Sequence, residues 1–318
     1  MRLLTAAFGA LVLGCAPSGP GWSAEHESSG AALLSVTSIG PRVVAVGADD
    51  GTGPAILVAE GGVVERIPAI DRGALWWSAP DLDGSLVVVG EHGRILRLWP
   101  ESGALELVTS PTVATLYGVW VAESGLAFAV GGDPETGRGA LLRRSGGRWQ
   151  VEDEIDPALL DEVMLFKVWG RSASDVWIVG DGGTLLRFDG TRFSAVAAGT
   201  STRLLTIHGS QSEGPYAVGG AANGVLLEWL GDRFVDRMPA FMPAGNGVFV
   251  ADATAIAVGN RGLVLRRDGA GAWNQETDLP SQADFHAVTV DAQGHVWIAG
   301  GNLLSPSLDG GVLLRSTR

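Results

Sequence analysis

The sequence predicts an all-β fold, a seven-bladed β-propeller of four-stranded blades whose ring is closed by an N-terminal strand. Three observations predict it. First, a short apolar run closes on a glycine seven times, at Gly47, Gly90, Gly131, Gly180, Gly219, Gly259 and Gly300, with intervals of 43, 41, 49, 39, 40 and 41 residues. A unit of about 40 residues cannot bury its own apolar face, so its copies must stack to make a core. Second, each repeat holds three strand-like runs and the start of a fourth, which is the makeup of a propeller blade. Third, the seventh repeat lacks a fourth strand after it, and a segment near the N-terminus has the spacing of one.

Blade four shows the elements most plainly, in LFKVWGRSASDVWIVGDGGTLLRFDGTRF, Leu165 to Phe193. Strand A covers Leu165 to Gly170, B covers Val176 to Gly180, C covers Thr184 to Phe188, and D begins at Phe193. β-Branched and aromatic residues fill the runs, while Gly, Asp and Ser form the breaks. In strand A, Val168 aligns with Val36, Trp77, Val119, Ile207, Val248 and Val288. Three residues before each glycine stands a second apolar column, Val44, Val87, Phe128, Trp177, Tyr216, Ile256 and Trp297, expected to pack blade on blade. Strand C recurs from AILVAE in blade one to GVLLRSTR in blade seven.

From the start of strand D to the next strand A column the count is 14 for Val63 to Trp77, Leu105 to Val119, Phe193 to Ile207 and Phe234 to Val248. Trp22 to Val36 is also 14. Gly21 to Glu27 therefore reads as strand D of blade seven, pairing with Gly311 to Arg318 and removing an open edge. Residues 21–318 then form a single domain.

An address precedes that domain. Met1 to Gly14 has one early Arg and a short apolar run, the layout of a secretory signal peptide too brief to span a bilayer. Val12-Leu13-Gly14-Cys15 resembles a lipobox, which makes Cys15 the expected lipidation site and residues 15–20 a tether. Cys15 is the only cysteine, so a disulfide does not account for it. Ala16 after it resembles the outer-membrane sorting pattern. The expected location is the cell envelope, as an outer-membrane lipoprotein facing the periplasm or the exterior.

Net charge of −13 argues against nucleic acid and against an anionic bilayer surface as partners. Lys167 is the only lysine; every other basic side chain of the Lys and Arg set is Arg.

The phrases VWGRSASDVWIVGDGGTLLRFDG and their weaker copies across residues 33 to 318 resemble the repeats of the photosystem II assembly and stability factor family. The turns RFDGTRF, RRSGGRW and RRDGAGAW are similar to degenerate Asp-boxes (BNR type) of sialidase-like propellers. The resemblance implies seven blades and a chaperone or scaffold role without catalysis or cofactor. It also implies what a sialidase would need: three Arg, a Tyr nucleophile with a Glu partner, and an Asp acid/base. Only Tyr117 and Tyr216 are available, and neither has an adjacent Glu in sequence.

Arg97, Arg143, Arg187, Arg266 and Arg315 share one strand C position, interrupted by Val58 and Glu228. Spread round a ring they would not converge on one anion, so an interblade salt bridge or a stem over apolar surface is expected. His26, His92, His208, His286 and His295 lack metal-ligand spacing. His208 stands in the column of Trp120, Trp169 and Phe249, so it is expected to be a packed strand residue. His286 shares the second strand A position with Leu34, Leu75, Tyr117, Phe166, Leu205 and Asn246, so Tyr117, Asn246 and His286 form a candidate channel mouth.

The 49-residue interval marks an insertion between strand D of blade three and strand A of blade four. Asp156-Pro157 should start a short helix there. Glu152, Asp153, Glu154, Asp156, Leu159, Leu160, Asp161 and Glu162 form a candidate partner-binding loop, an acidic rim with exposed Leu and Met suited to a basic protein. The blade three loop GGDPETGRG lies beside it, and Ala48 to Pro54 with Asn302 to Gly310 make a second pair of enlarged loops. The reading is of a monomeric, lipid-anchored binding or assembly scaffold. Its rivals are a propeller enzyme (glycosidase, lyase or lactonase) at the channel mouth and a carbohydrate-binding module. Convergent ionisable groups in a deep pocket would favour the enzyme, and apolar loop tips on a shallow face would favour a protein partner.

Overall fold

The computed structural model of the chain describes residues 21–251 and 254–317. The expected signal segment, Cys15 and the tether lie outside the described residues. Seven four-stranded antiparallel sheets follow one another along the chain, each a meander of neighbouring strands. Blades one to six span 33–66, 75–108, 115–151, 165–195, 204–236 and 245–275. Blade seven takes its A, B and C strands from Asp284–Val290, Val296–Asn302 and Asp309–Ser316, and its D strand from Trp22–Glu27. This N-terminal strand pairs antiparallel with Asp309–Ser316, Trp22 opposite Ser316 and Glu27 opposite Val312. The Trp22 indole N–H also donates to Glu276 Oε2 at 2.9 Å, which ties the closing strand to blade six.

The core is divided into seven apolar clusters, one between each pair of neighbouring blades. Val44, Val46 and Ile56 of blade one, for example, meet Leu75, Leu86, Val88 and Leu98 of blade two. The column three residues before each glycine supplies these interfaces, and all seven of its members are buried. The glycines have a different reason. At each of the seven, a Cβ would run into a backbone carbonyl at or just before the start of strand A: Ala32, Ala74, Thr115, Met164, Arg203, Ala244 and Asp284. Strand B passes so close to that turn that only a residue without a side chain fits.

The column alignment needs one correction, in blade two. Strand A starts Leu75–Gly90 and then Trp77–Val89, Ser78–Val88, whereas blade one runs Leu33–Gly47, Ser35–Val46, Val36–Ala45. Ser78, not Trp77, therefore stands in the Val36 column, and Trp76, not Leu75, stands in the column of His286. Ser78 is buried and hydrogen-bonded to the Ser35 and Thr37 hydroxyls of blade one, so a polar residue replaces the expected apolar one.

The arginine column forms its ion pairs within blades rather than between them. Arg187 lies opposite Trp177 in the strand register, stacks 5.0 Å from its ring centre and pairs with Asp175 of the same blade at 2.9 Å. Arg315 repeats the arrangement over Trp297, and Arg143 over Phe128. Arg97 pairs with Asp83, and Arg266 with Glu276, each inside its own blade. Arg143, Arg187 and Arg315 cover the face of the aromatic ring opposite them, whereas Arg97 and Arg266 lie opposite Val87 and Ile256.

Candidate functional site at the channel mouth

The second or third residue of every inner strand sits at a β-bulge. The register slips between Leu33 and Ser35, Leu75 and Trp77, Leu116 and Gly118, Leu165 and Lys167, Leu204 and Thr206, Gly245 and Gly247, and Phe285 and Ala287. The skipped residues are Leu34, Trp76, Tyr117, Phe166, Leu205, Asn246 and His286. A bulge bends its strand and re-aims the extra side chain. Seven bulges at one level turn seven side chains towards one place, and all seven line a single cavity of about 370 Å³. The strand ends at this level are those joined by the D–A and B–C loops. Leu303, Leu304 and Leu308 of the enlarged blade seven B–C loop add to the wall, with Arg203 and Asn260.

The three residues expected at the mouth, Tyr117, Asn246 and His286, are thus on one cavity. Trp76 joins them: its ring is 5.1 Å from Tyr117 and 6.2 Å from His286, and Phe166 continues the aromatic wall 5.7 Å beyond Tyr117. The polar members also fasten blade to blade. His286 donates from Nδ1 to the Leu34 carbonyl, and Asn246 Nδ2 donates to the Phe285 carbonyl at 2.9 Å and to Asn260 Oδ1 at 2.7 Å. Burial and the neighbouring Lys167 push His286 down to about 3, so the ring is neutral.

Lys167 stands one residue past the blade four bulge. It is buried, its Nζ donates to the Tyr117 carbonyl at 2.8 Å and lies 4.0 Å from the Trp77 ring centre, and no carboxylate pairs with it among the described residues. Burial pushes its pKa down to about 7. The sequence signal was present, as the single lysine in an arginine-rich chain, but reads there only as composition. Gly118 makes room for this strand, because a Cβ on it would press on the Phe166 carbonyl and Lys167 Cα.

Further along the channel, His208 packs as expected, stacked on Phe249 at 5.0 Å and 5.8 Å from Trp169. Its Nδ1 accepts from the Val250 N–H, and burial lowers its pKa to about 4. The other tyrosine does meet a glutamate in space. Tyr216 Oη donates to Glu228 Oε1 at 2.9 Å, with Arg267 6.0 Å from the ring centre. The pair lies at the opposite ends of the strands from the mouth and is packed against Trp273. Burial and the hydrogen bond to Glu228 raise the Tyr216 pKa, opposite to what a phenolate nucleophile needs.

The acidic insertion forms a 3₁₀ turn, Pro157–Leu159, capped by the Asp156 carboxylate on the Ala158 N–H at 3.0 Å. Its apolar side chains turn inward: Ile155, Leu160 and Val163 are buried in the cluster between blades three and four, Leu159 packs against it, and Met164 sits over Gly132. Glu152 is buried beside Arg143, 3.5 Å away. The loop presents Asp153, Glu154, Asp156, Asp161 and Glu162 to solvent, with Arg138 of the neighbouring blade three loop 3.8 Å from Asp161. Apolar tips do occur on the mouth face, but elsewhere: Ile70, Val113 and Phe241 in D–A loops and Leu304 in a B–C loop are all well exposed.

Fold and site define a seven-bladed β-propeller with a bulge-lined channel mouth. No family model and no curated protein sequence matches the chain. Among solved structures, it is similar to a streptogramin B lyase, with TM-score 0.71 and 12% identity over 93% of this chain and 98% of that one. It is also similar to YCF48 from Cyanidioschyzon merolae, with TM-score 0.69 and 15% identity over 93% and 98%. The RRP9 WD40 repeats match with TM-score 0.70 and 9% identity over 93% and 97%. At such identities the likeness establishes the fold.

Proposed function

We propose that this propeller is an exported, lipid-anchored binding module of the cell envelope, which docks a protein partner on its mouth face and acts as an assembly scaffold. The observation that carries the reading is the set of exposed apolar tips, Ile70, Val113, Phe241 and Leu304, raised on loops of one face around the open mouth. Four exposed apolar side chains on the loops of one face of a rigid ring, Val113, Phe241 and Leu304 being the most exposed of the large apolar residues, suit association better than solvation. The five outward carboxylates of the insertion add a negative rim, which steers a basic partner. The resemblance to photosystem II assembly factor repeats supports a scaffold role. On this reading Cys15 carries the anchor, and a closing strand that starts at Trp22 keeps the ring a few residues from the bilayer.

The test is affinity capture from native envelopes with three forms: the natural protein, Leu304→Ser with Phe241→Ser, and a form with the insertion shortened to the 14-residue spacing found for Leu105 to Val119, Phe193 to Ile207 and Phe234 to Val248. The double substitution is expected to lose the partner. The shortened loop is expected to weaken capture chiefly at low salt. Undiminished capture by the double variant sinks the reading.

A further inference from the structure

We propose that the channel mouth is a binding site for a ring-bearing carboxylate, with the carboxylate on Lys167 and the ring against Trp76, Tyr117 and Phe166. This deepens the binding reading above and does not depend on which partner, if any, occupies the loop tips.

The lining supplies donors and apolar faces. None of the residues around the cavity is an Asp or a Glu. The acids nearest in effect, Glu91 and Asp181, are engaged at its rim: Glu91 accepts from the Ala74 N–H at 2.9 Å, and Asp181 faces Arg203 at 3.4 Å. Two buried donors lack what they need. The Lys167 ammonium has three N–H bonds, of which one goes to the Tyr117 carbonyl and none to a carboxylate. The Trp76 indole N–H is buried without a hydrogen-bond partner. Buried polar groups in folded proteins are nearly always satisfied, so an amine with a single carbonyl partner and an indole N–H with none, on two residues that line one cavity, call for an acceptor.

The choice of lysine here points the same way. In a chain that otherwise uses arginine, the one ε-amine occupies the channel. A guanidinium stays charged when buried, whereas an amine sheds its proton when no counter-ion is present and regains it when one arrives. Desolvation brings the Lys167 pKa down to about 7. A bound carboxylate would be the missing counter-ion and would raise it again. The other titratable groups facing Lys167 do not compete for the role: His286 is neutral, burial raises the Tyr117 phenol, and Arg203 is itself a cation. The volume, about 370 Å³, suits one aromatic ring with a short acidic arm. Two sources carry this chemistry, a free aromatic acid and the C-terminal residue of a protein.

The experiment is titration calorimetry of the purified protein with phenylacetate, N-acetylphenylalanine and, for each, the corresponding primary amide. Either acid should bind at least about tenfold more tightly than its amide, as a charge-assisted hydrogen bond requires. Preference for N-acetylphenylalanine assigns the site to a C-terminal residue, and preference for phenylacetate to a free acid. At pH 8 binding should take up a proton, read from two buffers of different ionisation enthalpy. Lys167→Met should erase the difference between acid and amide. A second readout needs no variant: Lys167 is the only lysine, so its acetylation by acetic anhydride, followed by mass spectrometry, should slow when the acid is present and not when the amide is. Equal binding of acid and amide, no binding up to millimolar ligand, or acetylation unaffected by the acid overturns the proposal. None of these outcomes bears on capture through Phe241 and Leu304, so the two readings fail separately.

Discussion

Gly180→Ala adds one methyl group to a chain of 318 residues, and the structure predicts a large penalty for it. The new Cβ would be driven into the Met164 carbonyl, with the Leu165 Cα 3.3 Å away, and both neighbours are backbone. No rotamer change relieves such a contact. Strand B must retreat from the start of strand A, which opens the Leu165–Gly180 pair and lifts Leu165 from the cluster between blades three and four. Overpacking of this kind costs about 1–3 kcal/mol, and a backbone neighbour puts it at the upper end. A loss of about 3 kcal/mol is roughly a 150-fold change in the folding equilibrium. Gly269→Ala is the control, because nothing lies within 4 Å of a Cβ there. It should change stability by no more than about 0.5 kcal/mol. Denaturant unfolding followed by tryptophan fluorescence compares the two. Equal midpoints for Gly180→Ala and Gly269→Ala would refute the close-approach explanation of the repeat.

The same measurement applies to the ring closure: Trp22→Ala should cost about 2 kcal/mol, less than for a fully buried Trp because the side chain is half-buried. Removing residues 22–27 should expose the edge of Asp309–Ser316 and produce association on size-exclusion chromatography. Arg187→Met, which removes a half-exposed guanidinium from Asp175 but keeps a stem over Trp177, should lose about 1 kcal/mol, because Asp175 keeps its pair with Arg171. Stability should also follow pH in two windows. His208 and His286 fall to about 4 and 3 in the folded chain from an ordinary 6.5, so the unfolded chain binds more protons as pH drops below 6.5, and stability declines from there by about 1.4 kcal/mol per unit for each ring. Lys167, at about 7 against an ordinary 10.5, keeps its proton only in the unfolded chain between those values, so stability rises with pH across that window. The alkaline rise should vanish in Lys167→Met; a rise that persists would show that another group causes it.

The blade count, the strand order and the closing strand were all legible because each leaves a steric mark on residue type. Gly180 and its six equivalents admit no side chain, and the column of Trp177 must be apolar to fill an interface. Blade two was misread by one residue for the opposite reason. Its Val36-column residue is Ser78, whose polarity is satisfied by hydroxyls of the next blade, and the Trp76-Trp77 pair offered an apolar residue one step too early. The bulges that aim Trp76, Tyr117 and His286 into the mouth are backbone features with no residue signature, so Trp76 was missed. Hydrophobic letters in the insertion likewise do not say which way they face. Ile155, Leu160 and Val163 went into the core, and the exposed tips turned out to be Ile70, Val113, Phe241 and Leu304 on other loops.

Site-specific photo-cross-linking in intact cells of the source tests the central claim most directly. A photoreactive residue at Leu304 sits on the mouth face, and one at Leu82, nearly as exposed, sits in an A–B turn on the opposite face. Binding through the mouth face predicts a discrete protein adduct from Leu304 and none from Leu82. Adducts of equal yield from both positions, or from Leu82 alone, would contradict it.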